Sequence, residues 1–278
     1  MVKKICIVTG GNSGIGFEIC RGMAKAGFKV IMVSRGPERG ELALDKLKAE
    51  FGDSVEMMLC DMSDLDNISK LYDEYTSKYD RLDVLLNNAG ALWGRRLKTK
   101  QDNEMTFGVN HLGYFVMTDT FLPLLKSTEN SRIINTSSEA HKMSKLNLAN
   151  LNHENIKYSQ WRTYCNSKLC NILFTRELAR RLEGTGIKTH CFHPGVVRTR
   201  FAEEAKGLMR LFWPIFRIFM IGSKRGAKTG LHLALSEDAG KTTGEYWSVS
   251  KRRKGASFSR NENNAKKLWQ ISEGLLKK

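Results

Sequence analysis

The sequence predicts an α/β protein, a doubly wound parallel sheet in a single domain spanning residues 1–278, on three observations. Short β-rich runs alternate with helical patterns over most of the chain, a glycine-rich turn follows the first run directly, and polar residues punctuate the ends of the runs. The first run, Ile5 to Val8, enters the turn TGGNSGIG, and a helix opens near Ser13 with Ile15, Ile19 and Met23 at helical spacing. Glycines at 10, 14 and 16 let the backbone turn sharply, admit a pyrophosphate to the helix N-terminus and let that helix pack close to the strand. The spacing T-G-x-x-x-G-x-G differs from the commoner G-x-G-x-x-G, but its position after a first strand points to a bound dinucleotide.

The runs FKVIMVS (28–34), SVEMMLC (54–60), LDVLLN (82–87), SRIINTS (131–137) and IKTHCFH (187–193) read as buried parallel strands with helices between them. Ligands of such a sheet bind beyond the carboxyl ends of the strands, where Thr9, Arg35, Asp61, Asn88, Ser138 and Pro194 stand. Arg35 follows the second strand, where NAD-selective sites often carry an acid for the ribose 2′-hydroxyl; an Arg with no acid at 34–36 suits the 2′-phosphate of NADP(H). Asp61 has two readings, an acceptor for the adenine amino group or the start of a helix cap in DMSD.

With 278 residues, 41% of them hydrophobic and 27% charged, the chain can bury one sizeable core, and no linker, repeat or low-complexity stretch divides it. Six cysteines, at 6, 20, 60, 165, 170 and 191, form no C-x-x-C pair and suit a reducing, cytoplasmic setting. The first strand begins so early that neither a signal peptide nor a transmembrane anchor is expected. The six histidines form no ligand-spaced cluster, so no metal is expected.

Tyr164 and Lys168 lie four apart in YCNSKLCNILFTRELARRL, on one face of an amphipathic helix. An ammonium beside a phenol favours phenolate and moves the phenol towards proton exchange near neutral pH. Such a pair is common by chance, and its ordinary reading is a solvated Lys beside a packed Tyr. The ordered set T-G-x-x-x-G-x-G, NNAG (87–90), Asn110 of VNHLGYF, Ser138 of INTSS, Tyr164 with Lys168, and PGVVRT (194–199) changes that. Together these motifs resemble the short-chain dehydrogenase/reductase family over essentially the whole chain, which implies a Rossmann fold. SRIINTSSEAH, YCNSKLCNILFTRELARRL and AKKLWQISEGLL look most like its retinol dehydrogenase subgroup, and YCNSKLCN and GEYWSVSKRRKGASFS also resemble light-dependent protochlorophyllide reductases.

The resemblance implies roles. Tyr164 would be the general acid in carbonyl reduction, Lys168 would lower its pKa and bond the nicotinamide ribose, and Ser138 would donate to the carbonyl oxygen. Asn110 would bend its helix around a water and link Lys168 to solvent, its local alternative being an Asn bonded within the helix. Ser137, beside Ser138, is expected to be structural. Gly10, Asn12, Ser13, Ile15 and Gly16 would surround the phosphates and adenosine, with Asn88, Ala89 and Gly90 at the adenosine ribose side and Pro194, Val197 and Thr199 at the nicotinamide.

The net charge of +16 is concentrated at the end of the chain, where residues 206–278 carry 16 Lys/Arg against 5 Asp/Glu. Within it GLMRLFWPIFRIFMIG (207–222) is apolar with two arginines, too short and too charged to span a bilayer. It reads as a helical substrate lid, placed by the resemblance at about 200–225, and is compatible with peripheral membrane contact. KRRK (251–254) lacks any surrounding nucleic-acid-binding pattern and reads as a solvated basic loop, so no nucleic acid is expected. Helical patterns at 101–125 and 161–183 are long enough to pair in a homodimer, and their apolar faces equally suit sheet-facing core.

Three functions are therefore weighed. The first is an NADP(H)-dependent oxidoreductase interconverting a lipophilic aldehyde or ketone and its alcohol. The second is a light-dependent protochlorophyllide reductase-like enzyme. The third is a dinucleotide-binding, lipid-associated scaffold or sensor, against which the intact Tyr-Lys donor argues.

Overall fold

A computed structural model describes residues 3–195 and 222–276. Eight strands form one sheet in the order β3-β2-β1-β4-β5-β6-β7-β8. They are β1 (Ile5–Thr9), β2 (Lys29–Ser34), β3 (Val55–Leu59), β4 (Val84–Asn87), β5 (Arg132–Thr136), β6 (Lys188–His193), β7 (Glu245–Ser248) and β8 (Lys251–Arg253), all parallel except β8. Strand order reverses between β1 and β4, where a doubly wound sheet opens its ligand crevice.

Side-chain alternation along each strand feeds two cores. On one face Ile5, Ile7, Ile31, Val33, Leu85 and Ile133 pack under helices α3 (Asp66–Thr76), α5 (Gly113–Ser127) and α6 (Gln160–Arg181). On the other face Cys6, Val8, Val30, Met32, Leu86 and Ile134 meet α1 (Gly14–Lys25), α2 (Pro37–Phe51) and the helix Ser223–Leu235. Burial on both faces is why these strands read as near-continuous apolar runs. All six cysteines are buried and unpaired, and burial pushes their thiols above the ordinary range.

The expected helix at 101–125 is three pieces, α4 (Met105–Phe107), a π-helical turn at Gly108–Leu112 and α5. Glu104 starts it, its carboxylate accepting from the backbone N–H groups of Thr106 (2.9 Å) and Phe107 (2.8 Å). The helix Glu262–Leu276 lies across α5 and α6, with Trp269 against Phe115 (ring centroids 4.7 Å) and Phe174 (5.7 Å).

Expectation and structure differ at KRRK. Lys251–Arg253 is an edge strand antiparallel to β7, its three side chains exposed, joined to β7 by a two-residue turn in which Val249 and Ser250 both have positive φ (52° and 53°). Glycine or asparagine ordinarily marks such a hairpin turn, and neither is present. Asp61 also departs from a helix cap: its Oδ1 accepts from the Ser63 backbone N–H (2.9 Å) and hydroxyl (2.8 Å), closing a turn five residues before α3 begins. Among the described residues no helix is long and apolar enough to cross a membrane. Val197, Thr199 and nearly all of the expected lid and membrane-contact segment lie outside the described residues.

Candidate active site

The β1–α1 turn fits a dinucleotide phosphate. Gly10 has φ +64°, and a Cβ on Gly16 would fall 2.2 Å from the Gly10 carbonyl oxygen, so the helix sits directly on the turn. Ser13 is the N-cap of α1 without a side-chain capping bond, and the first turn carries no acid, leaving the positive end of the helix open to an anion. Asn12 and Ile15, half-buried, flank that opening.

Thr9 organises the opposite wall, a role that its position alone did not reveal. Its hydroxyl oxygen accepts from the backbone N–H groups of Asn88 (2.8 Å) and Ala89 (3.0 Å), while the Asn88 amide donates to the Thr9 carbonyl (3.0 Å). A Cβ on Gly10 would lie 2.9 Å from the Ala89 Cα, so the NNAG turn and the phosphate turn touch backbone to backbone. Arg35 is exposed at the end of β2, beside Ser34, whose hydroxyl donates to the Gly36 carbonyl (3.0 Å).

Beyond the ends of β4, β5 and β6 the four expected catalytic side chains converge. Asn110 is fully buried in the π-helical turn; its Oδ1 accepts from Ala91 N–H (2.9 Å), and its Nδ2 donates to the Ala91 carbonyl (2.9 Å) and the Ser167 hydroxyl (3.1 Å). Widening the helix there frees this side chain to reach across to another loop. A Cβ on Gly90 would be 3.0 Å from Asn110 Oδ1 and 3.5 Å from Lys168 Nζ, which sets both groups beside the same backbone.

Lys168 is buried, its Nζ donating to the Thr136 carbonyl (3.1 Å) and lying 5.7 Å from the ring centres of Tyr114 and Tyr164. Asn171, one turn later, donates to the same carbonyl (3.0 Å). Ser137 is structural, its hydroxyl donating to the Lys168 carbonyl (2.8 Å) and tying β5 to α6. Ser138 lies near the Tyr164 phenol and opposes its upward shift, and its Oγ accepts from Ala140 N–H (3.2 Å).

In the protein alone, Lys168 does not lower the phenol as expected. Burial pushes Tyr164 up to about 12, with nearby Ser138 acting the other way, and burial pushes Lys168 down to about 7. Desolvation disfavours the charged form of both the phenol and the amine. Pro194, expected at the nicotinamide, follows β6 and is half-buried; Gly195 takes φ +95°.

A family model described as short chain dehydrogenase matches residues 4–207. Over 274 residues, 98% of this chain and 86% of the relative, the sequence is 38% identical to retinol dehydrogenase 12 and to retinol dehydrogenase 11, both from Homo sapiens. Among solved structures, an uncharacterized protein from Mycobacterium paratuberculosis matches with a TM-score of 0.80 and 30% identity, over 99% of this chain and 93% of that one. RhlG of Pseudomonas aeruginosa, solved as an NADP active-site complex, gives a TM-score of 0.70 and 25% identity over 92% and 96%.

Proposed function

We propose that this chain, which belongs to the short-chain dehydrogenase/reductase family, is an NADP(H)-dependent reductase of lipophilic aldehydes or ketones, running in reverse as an alcohol dehydrogenase. Family membership makes it an oxidoreductase of CH–OH and carbonyl groups that binds a nicotinamide dinucleotide. The choice of NADP(H) is supported by Arg35, free of any acidic neighbour at 34–36, and by the NADP bound in RhlG.

The observation that carries the mechanism is the convergence of Ser138 and Lys168 on Tyr164, with Ser138 near enough to oppose the rise of the phenol and the Lys168 Nζ 5.7 Å from its ring. The β1–α1 turn would hold the dinucleotide phosphates and Pro194 the nicotinamide, which would supply the hydride. Ser138 donates a hydrogen bond to the substrate oxygen, where negative charge develops, and Tyr164 transfers its proton to that oxygen to complete the alcohol. Lys168 carries positive charge to the phenol and favours its ionised form after transfer, and the Asn110 site positions the backbone past which a proton returns.

A lipophilic substrate is supported by the stretch that joins Ser138 to Tyr164. It exposes Met143 (58%), Ile156 (47%) and Trp161 (38%), and the Trp161 ring lies 5.8 Å from that of Tyr164. The relatives named retinol dehydrogenases point the same way. The test is NADPH oxidation against a panel from short aliphatic to long-chain and retinoid carbonyls, with NADH in parallel. Turnover with NADPH that Tyr164→Phe reduces at least a hundredfold is expected; no turnover of any carbonyl, or full activity in that variant, refutes the reading.

A further inference from the structure

We infer that His141 is a positioning residue that fixes the carbonyl-polarising Ser138 and couples it to the C-terminal segment. The inference rests on the role proposed above for Ser138. His141 is buried in the 3-10 turn Glu139–Met143 that follows Ser138. The Ala256 backbone N–H donates to its Nε2 (3.1 Å), and because a peptide N–H can only donate, Nε2 must be the bare nitrogen. The proton of the neutral ring therefore sits on Nδ1, which donates to the Ser138 carbonyl at 2.6 Å. That carbonyl also receives the His141 backbone N–H (3.1 Å), so two donors from one residue set the plane from which the Ser138 hydroxyl projects.

The other end of the clip is built for this contact. Gly255 has φ +70°, and a Cβ there would stand 3.1 Å from Ser259 Oγ and 3.6 Å from His141 Nε2, so a glycine lets the chain approach the ring. Arg176 of α6 holds the same segment, donating to the carbonyls of Ser259 (2.6 Å) and Lys254 (2.8 Å). Tyr246 of β7 meets the imidazole edge to face at 4.9 Å while its hydroxyl donates to Glu139 Oε1 (2.7 Å). The turn after the catalytic serine is thus tied to β7 and to the loop after β8, a part of the chain otherwise remote from the chemistry.

Protonating Nε2 would set two donors face to face and open the clip. Burial lowers the imidazole below its ordinary 6.5, Lys142 and Arg176 act in the same direction, and the Ser138 carbonyl and Glu139 oppose them. His193 at the end of β6 is also close enough to feel His141. With the folded value below the unfolded one, the clip's contribution is complete above about 6.5 and is lost as pH falls through the lowered value.

The test begins with 15N-detected NMR of the histidines near pH 7, using His141→Gln to assign the resonance. An Nδ1–H tautomer is expected, and an Nε2–H tautomer overturns the inference. His141→Ala should lower kcat by roughly ten- to a hundredfold while leaving NADPH binding within about twofold. His141→Gln, which can donate from one end of its amide and accept at the other, should restore most of the loss. Ala256→Pro suits the native φ of −64° but sets its ring Cδ where the N–H now meets Nε2, so it must expel the imidazole and should lower kcat as His141→Ala does. Unchanged kcat in a folded His141→Ala or Ala256→Pro protein overturns the clip. If His141→Ala does not fold, the tautomer and the proline variant decide. Absence of wild-type turnover would refute the proposed function and leave the tautomer result standing.

Discussion

At pH 8 the buried Lys168 of the ligand-free protein should be mostly neutral, and binding a dinucleotide should charge it. Its amine is pushed down to about 7, and the Thr136 carbonyl is the acceptor that its Nζ reaches. At that value roughly one molecule in eleven carries the ammonium at pH 8. Ribose hydroxyls placed beside Nζ would add acceptors, and return towards the ordinary lysine range means uptake of about 0.9 proton per site. Calorimetric titration of NADPH in buffers of different ionisation enthalpy measures that number directly. The choice of pH 8 keeps the 2′-phosphate, with a second pKa near 6, fully ionised before and after binding. Tyr164→Phe should retain the uptake and Lys168→Met should abolish it. Zero uptake in the wild type, or equal uptake in Lys168→Met, refutes the reasoning. A stability profile without cofactor gives a second check. A lysine depressed on folding binds more protons in the unfolded chain between about pH 7 and 10.5, so stability rises with pH through that window, by at most about 1.4 kcal/mol per unit.

Arg35→Glu should raise KM for NADPH on the order of tenfold or more while sparing NADH, measured by steady-state kinetics. Asp83 accepts from Ile5 N–H (2.8 Å) and from Arg81 through both oxygens (2.9 and 2.6 Å), so Asp83→Ala strands a buried donor and a guanidinium and should cost about 2–4 kcal/mol in urea unfolding. The hairpin turn works in the opposite direction. Val249 and Ser250 hold positive φ without glycine, and Val249→Asn with Ser250→Gly should raise stability by about 1–2 kcal/mol in the same assay.

How much was legible depends on what each element needed. Strands β1, β2, β4, β5 and β6 are buried on both faces and announce themselves by composition alone, the outer strand β3 keeps an apolar run although Leu59 is exposed, and the glycine turn announces the crevice. β7 and β8 do not: EYWS is four residues long, KRR is three exposed charges, and Val249-Ser250 gives no turn signal. Exposed cations on an edge strand guard it against pairing with another chain, which is the reason for the composition that hid it. In the site, Tyr164, Lys168, Ser138 and Asn110 follow from motif order, and Ser137 could be set aside from Ser138 by spacing. Thr9 and His141 could not be read, because their partners are backbone groups 79 and 115 residues away.

Electrostatics was the other illegible part. Spacing places the Tyr164 and Lys168 side chains on one helical face but says nothing of how much water that face retains, and desolvation decides the sign. With little water, a neutral phenol and a neutral amine cost less than a phenolate and an ammonium, so the phenol moves up to about 12 and the lysine down to about 7. The pair is therefore not an activated base waiting in the free protein. On that reading the proposed proton chemistry would follow cofactor binding, which would add acceptors for the ammonium. The hydrogen-bonded frame around it, Ser137 to the Lys168 carbonyl, Asn171 to the Thr136 carbonyl and Asn110 to Ala91, keeps both groups in place while they are uncharged. The proton uptake expected from the calorimetric titration would distinguish such a site from one charged from the start.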